Sequence, residues 1–214
     1  MLRHPLKAIH RNWLTPDTFE LRVERPAGFA FIPGQKVRFI QEDIQRDYTL
    51  INAPQDVQLA LLVRHIPNGR FSPLLARADK TQVFTVEGPF GYFAFHPSSR
   101  PAIWVATGTG IAPFIAFARS GRHCRMLLHG VREPSELYFR EELIRAAHLY
   151  TGCISGADVP ADCFGGRVTD YLEHHLPAER CDFYLCGRME MIAAAMDIID
   201  RKFEGSHVFT EIFF

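Results

Sequence analysis

The chain has 214 residues, 47% of them hydrophobic, with 24 Lys plus Arg against 24 Asp plus Glu. That is enough apolar side chain for one large core or two small ones, and the balanced charge lacks the basic footprint of a polyanion binder, so nucleic acid is not an expected partner. Met1-Leu2-Arg3-His4-Pro5 leads into polar residues without an apolar secretory core, and no apolar run could span a bilayer, so a cytoplasmic protein with no membrane partner is expected.

The first half reads as strands at Leu6–Arg11, Thr18–Glu24, Lys36–Gln41, Asp47–Asn52, Gln58–His65 and Gln82–Glu87. These are short, rich in β-branched or aromatic residues, and separated by turns such as Thr15-Pro16-Asp17, Pro33-Gly34 and Pro67-Asn68-Gly69. Six strands at this spacing predict a small antiparallel barrel, with one helix interposed at about Phe71–Arg77.

Beyond the polar, proline-bracketed His96–Pro101 the pattern changes. Strands at Ile103–Ala106, Cys124–His129, Leu149–Ser155, Phe183–Leu185 and Val208–Phe213 alternate with helices at Ile111–Arg119, Ser135–Ala147, Val168–His175 and Glu190–Phe203. That alternation predicts a five-stranded parallel sheet flanked by helices, hence a β plus α/β fold with domains at 1–98 and 99–214. In Ile103–Phe114 a buried strand runs into Thr107-Gly108-Thr109-Gly110 and then a helix with Pro113 near its start. Gly108 and Gly110 let backbone approach an anion, Thr107 and Thr109 add hydroxyls, and the helix N–H groups carry partial positive charge. Pro113 stands where the dinucleotide fingerprint has a third glycine, so by itself this loop reads first as an ordinary strand-to-helix turn.

The five cysteines, Cys124, Cys153, Cys163, Cys181 and Cys186, contain no C-x-x-C pair. A disulfide framework, a zinc site and an iron–sulfur cluster are not expected, and His10, His65, His123, His129, His148, His174 and His175 lack ligand spacing, so no metal is assigned.

Four motifs in order resemble those of the ferredoxin-NADP reductase superfamily. They are Arg46-Asp47-Tyr48-Thr49, Gly69-Arg70-Phe71-Ser72, Glu87-Gly88-Pro89-Phe90-Gly91 and Thr107–Pro113, followed by Tyr184-Leu185-Cys186-Gly187 and the tail Glu211-Ile212-Phe213-Phe214. The resemblance runs from about residue 5 to the C-terminus and implies an FAD-binding barrel followed by an NAD(P)-binding domain. It places Thr49 near the reactive flavin nitrogen, Tyr48 against the isoalloxazine, Cys186 beside the nicotinamide with Gly187 leaving room for the ring, and Phe213 or Phe214 over the flavin. Residue chemistry agrees: Arg46 offers a fork-shaped cation to a phosphate, Gly69, Phe71 and Ser72 begin a helix that can meet the pyrophosphate, and Val63 and Arg64 are expected along the flavin edge. Glu211 is expected to orient groups or relay a proton.

The implied activity is transfer of hydride from NAD(P)H to bound FAD and of single electrons onward to a separate carrier such as ferredoxin. Trimming of the adenosine loop in a chain this short keeps FMN open as the flavin. NADPH or NADH specificity falls to Gly130–Ser135, where Arg132, helped by Ser135 or Arg140, favours NADPH and Glu133 opposes it. Two alternatives remain at this stage: an NAD(P)H:flavin reductase using free flavin, and a non-catalytic flavin-binding subunit of an electron-transfer complex.

Overall fold

The computed structural model describes residues 3–213. These divide into two compact units, one up to Phe95 and one from His96 onward.

The first unit holds β1 (Arg3–Thr15), β2 (Thr18–Glu24), β3 (Lys36–Gln41), β4 (Ile44–Thr49), β5 (Gln58–Arg64), α1 (Ser72–Arg77) and β6 (Val83–Phe90). The sheet order is β4-β3-β6-β1-β2-β5, antiparallel throughout. β1 is longer than its sequence pattern because its two halves have different partners: Arg3–Lys7 pairs with β6, and Ala8–Thr15 pairs with β2, with register shifts at Ala8/His10 and Trp13/Thr15. A break of this kind bends a strand and lets a sheet curl. An antiparallel bridge between Leu50 and Leu61 joins the chain after β4 to β5, so the sheet closes on itself around Phe19, Leu21, Phe39, Leu61 and Phe84.

The fourth strand lies earlier than Asp47–Asn52. A tight turn with Glu42 in the left-handed region (φ 53°) starts pairing at Ile44, and Leu50 and Ile51 leave the hairpin to bond Gln35 and Ala60.

The second unit holds β7 (Ala102–Thr107), α2 (Ala112–Arg119), β8 (Cys124–Val131), α3 (Arg140–Ala146), β9 (Ala147–Ile154), β10 (Phe164–Gly165), α4 (Val168–His174), β11 (Asp182–Gly187), α5 (Met189–Lys202) and β12 (His207–Ile212). All pairs are parallel, in the order β10-β9-β8-β7-β11-β12. The sheet thus has six strands where five were expected, because β10 is two residues long and leaves no periodic signature. The strand order reverses between β7 and β11, the topological switch point at which open α/β sheets bind ligands beyond the strands' C-terminal ends.

α4 and α5 cover one face through Leu172, Ile192 and Ile199 against Ile103, Val105, Leu128 and Leu185. On α5 the apolar residues Met191, Ile192, Ala195, Ile198 and Ile199 share one side, with Glu190 in the first turn and Arg201 and Lys202 in the last, charges that suit the helix dipole. Against the other face Phe114 of α2 stacks on Trp104, ring centroids 5.4 Å apart.

The single helix expected at Ser135–Ala147 is broken. Pro134–Glu136 form one 3-10 turn, Leu137 and Tyr138 turn inward and are buried, and Phe139 adopts a left-handed φ of 55° before α3 begins.

The start of the second unit is tied down by polar contacts. The Tyr184 hydroxyl accepts from the His96 N–H at 3.0 Å and donates to its carbonyl at 3.2 Å, His96 stacks on Phe209 (4.9 Å), and Ser98 donates to Asp182 at 2.5 Å.

Candidate functional site

In the second unit, β7 delivers Thr107 to the switch point, and the chain continues as a 3-10 turn, Gly108–Ile111, into α2 with Pro113 at its second position. Gly108 has φ 53°, and a Cβ built there meets nothing within 4 Å, so the loop presents open backbone at the start of the 3-10 turn, which runs on into α2 with the Ala112 N–H already bonded to the Thr109 carbonyl. Thr109 is half-buried.

The other two glycines serve packing. A Cβ on Gly110 would lie 2.5 Å from the Cys186 carbonyl oxygen and 2.7 Å from the Gly187 Cα. Gly187, at φ 145°, would drive a Cβ into the Thr107 hydroxyl, which itself accepts the Arg188 N–H at 3.3 Å. Both positions require glycine because the end of β11 packs against Thr107 and against the 3-10 turn that follows it.

Parallel pairing sets Glu211 of β12 opposite Cys186 and Ile212 opposite Gly187, and the Phe213 N–H donates to the Gly187 carbonyl at 2.9 Å. Thr107, Gly108, Gly110, Cys186, Gly187, Glu211 and Phe213 therefore gather at the C-terminal ends of three adjacent strands. Cys186 is fully buried, and Glu211 and Phe213 are half-buried. Phe214, the other aromatic named for the stacking role, lies outside the described residues.

The loop after β8 is less receptive to a phosphate than its arginines imply. Arg132 stands 3.8 Å from Glu133, and the Glu136 carboxylate accepts the N–H groups of both Arg132 and Glu133 at 3.0 Å. Ser135 is exposed, while Arg140 is drawn away to Asp162 at 2.5 Å, a bond that holds its pKa above the usual arginine value.

In the first unit, Arg46 and Tyr48 share one face of β4. Arg46 is exposed, and its guanidinium donates to the Gln45 carbonyl at 2.7 Å; no acid pairs with it among the described residues. Tyr48 sits half-buried at the lip of the core, edge-on to Phe39 at 5.7 Å and 6.4 Å from Phe71. Burial pushes its hydroxyl pKa well up, against a smaller opposing pull from Arg46, so the ring stays neutral at any working pH. Thr49 is buried.

The Gly69–Ser72 segment is a compact turn: the Gly69 N–H bonds Ile66 at 2.8 Å, and the Ser72 hydroxyl accepts the Ile66 N–H at 2.9 Å. Ser72 is the first helical residue of α1, and because its oxygen accepts the Ile66 N–H its hydroxyl proton is left for another acceptor. Phe71 and Val63 are buried in the barrel core, which leaves them only backbone atoms to offer a ligand. Arg64 is paired with Asp17 at 3.0 Å. The donors present fit a flavin nucleotide: an unpaired guanidinium for phosphate, a neutral aromatic ring and a free hydroxyl proton. A pocket of about 460 Å³ lined by His4, Glu24, Arg25 and Val57 shares none of these residues.

Among the described residues no cluster of three potential ligands could hold a metal, and no helix is long and apolar enough to cross a membrane. Sequence reasoning passed over Arg188, which follows Gly187 directly; an arginine opening a helix carries no signal until the strand order shows what it adjoins.

Comparison with known proteins bears on both units. Residues 7–95 match the family model of the oxidoreductase FAD-binding domain, and residues 104–197 that of the oxidoreductase NAD-binding domain. The chain is 32% identical over 189 residues to reductase component 2 of terephthalate 1,2-dioxygenase from Comamonas sp., an alignment covering 81% of this chain and 56% of that protein. It is also 32% identical over 200 residues to the xylene/toluene monooxygenase electron transfer component of Pseudomonas putida, covering 85% and 57%. The chain thus spans little more than half the length of these curated relatives. Among solved structures, a ferredoxin NADP+ reductase from Neisseria gonorrhoeae with bound FAD and NADP superposes with a TM-score of 0.86 at 22% identity over 99% of both chains. The Amycolatopsis cytochrome P450 reductase GcoB gives 0.84 at 26% identity, covering 99% of this chain and 70% of that one.

Proposed function

Because the chain belongs to the ferredoxin-NADP reductase superfamily, an FAD-binding domain followed by an NAD-binding domain, we propose that it is an NAD(P)H-dependent flavin oxidoreductase that feeds single electrons to a separate protein acceptor. The observation that carries this reading is the gathering of Gly108, Cys186, Gly187, Glu211 and Phe213 at the switch point of the second unit. A flavin held by the first unit would supply the chemistry, taking two electrons as hydride and releasing them one at a time.

The protein's residues bind and orient. Arg46 neutralises a flavin phosphate, Ser72 donates to a phosphate oxygen, and Tyr48 offers a neutral ring for the isoalloxazine to lie on, with Thr49 beside it. Gly108 and the open backbone at the start of the 3-10 turn receive the dinucleotide's diphosphate. Cys186 and Gly187 set the depth of the nicotinamide, and Glu211, held beside Cys186 by strand register, orients it. Glu133 stands beside the Arg132 guanidinium and the Glu136 carboxylate holds the Arg132 backbone N–H, which supports NADH over NADPH, because a carboxylate accepts from a ribose hydroxyl and repels a 2′-phosphate. Relatives that are electron-transfer components of oxygenases support an iron–sulfur protein or oxygenase component as acceptor. Five free thiols support a reducing, cytoplasmic setting.

The test is the visible spectrum of desalted protein followed by anaerobic addition of each nucleotide. A yellow protein bleached faster by NADH meets the proposal. A colourless protein with diaphorase activity only on added flavin would make flavin a substrate, and no activity with either flavin would refute the oxidoreductase reading.

A further inference from the structure

A diphosphate carries formal negative charge, yet the loop Thr107–Gly110 that would receive it contains no cation. Two arginines near that edge of the sheet are already engaged, Arg132 with Glu133 at 3.8 Å and Arg140 with Asp162. Arg188 is placed differently. Its N–H donates to the Thr107 hydroxyl at 3.3 Å, which fixes its backbone against the first residue of the loop, and its side chain is exposed with no acid paired to it among the described residues. The turn after β7 packs closely on the end of β11 at this point, since a Cβ at Gly110 would lie 2.5 Å from the Cys186 carbonyl oxygen and one at Gly187 would meet the Thr107 hydroxyl.

We propose that Arg188 supplies the guanidinium that holds the diphosphate of the dinucleotide over the C-terminal ends of β7 and β11. This rests on the oxidoreductase reading above and assigns to one residue a charge that reading leaves unprovided. A guanidinium presents paired N–H donors matched to phosphate oxygens. The diphosphate is the expected partner because Arg188 is tied to the loop at the switch point, whereas a 2′-phosphate would lie toward the loop after β8. Arg167 is the other exposed arginine nearby, but Gly130 stands between the start of α4 and Thr107: a Cβ there would meet Val168 at 2.7 Å and Thr107 at 3.1 Å. Arg167 is therefore the natural control.

The experiment is calorimetric titration of the full chain with ADP-ribose, adenosine, NAD+ and NADP+, for wild type, Arg188→Gln, Arg188→Lys and Arg167→Gln. In Arg188→Gln, ADP-ribose affinity should fall about tenfold, the scale of one lost charge-assisted hydrogen bond at an exposed site. Arg188→Lys should recover part of the loss, Arg167→Gln should bind as wild type, and adenosine should bind all four proteins alike. Wild-type ADP-ribose affinity in Arg188→Gln would overturn the proposal while leaving the oxidoreductase reading intact. So would an equal loss in Arg167→Gln, or a loss confined to NADP+, which would move the contact to the 2′-phosphate. Wild-type protein that binds none of the dinucleotides would overturn both.

Discussion

His129 offers the sharpest test of how the second unit is held together. It lies on β8, wholly buried, with Nδ1 3.0 Å from the Tyr150 hydroxyl and Nε2 without a partner among the described residues. Burial disfavours the charged ring and depresses its pKa from 6.5 to about 3. The folded state therefore keeps His129 neutral while the unfolded chain takes up a proton below pH 6.5. Stability from this residue is complete above that value, falls as pH drops through it, and stops falling near pH 3. Each pH unit in that window is worth about 1.4 kcal/mol, so the step from pH 6.5 to 4.5 removes on the order of 3 kcal/mol, an upper figure because local opening can hydrate the ring. His129→Gln keeps a polar partner for Tyr150 and cannot titrate. Urea unfolding at pH 7.5 and 4.5 can follow Trp104, which is fully buried in the second unit, in a Trp13→Phe background that removes the first unit's 42%-exposed tryptophan. Carboxylate effects are common to both proteins, so wild type should lose about 2–3 kcal/mol more than His129→Gln between the two pH values. Equal losses would show that burial of a neutral His129 does not govern acid sensitivity.

Three further outcomes are expected. Gly187→Ala meets both a left-handed backbone and the Thr107 hydroxyl, and should destabilise the second unit by about 3 kcal/mol in the same urea assay, while an Ala at the open Gly108 should cost about 1 kcal/mol for its φ alone. Arg46→Ala should weaken flavin retention through desalting at least about tenfold with thermal stability unchanged, since the guanidinium bonds only its neighbour's carbonyl among the described residues; undiminished colour would remove it from the site. Cys186→Ser and Glu211→Ala should each slow hydride transfer in stopped flow at unaltered flavin content, and wild-type rates in both would refute their assignment to the nicotinamide contact.

The architecture was legible wherever burial wrote a period into the chain. Alternation in Phe19–Val23 and the apolar runs of Ile103–Ala106 and Phe183–Leu185 placed their strands within a residue or two, because one or both faces are buried. Where local pairing or a local break decides, the pattern is silent: β10 consists of two residues, β1 owes its extra length to a change of partner, and the break before α3 comes from Leu137 and Tyr138 turning inward. The candidate site was legible as a set of positions and less so as a set of reasons. The residue types at Gly110 and Gly187 suggest room for a ligand, but the end of β11, Thr107 and the turn after it fill that room themselves. Val63 and Phe71 were named beside the flavin, but their side chains belong to the barrel core. Arg188 became visible only once β11 was seen to lie beside β7.

The contacts at His96 and Ser98 bear on how the molecule can be taken apart. A fragment meant to carry the nucleotide-binding half by itself, cut at residue 99 as the change in sequence pattern invites, would discard both donors. The Tyr184 hydroxyl would lose its two bonds to His96, Phe209 its stacked ring, and the nearly buried Asp182 carboxylate its 2.5 Å bond from Ser98. A fragment that keeps these contacts begins no later than His96.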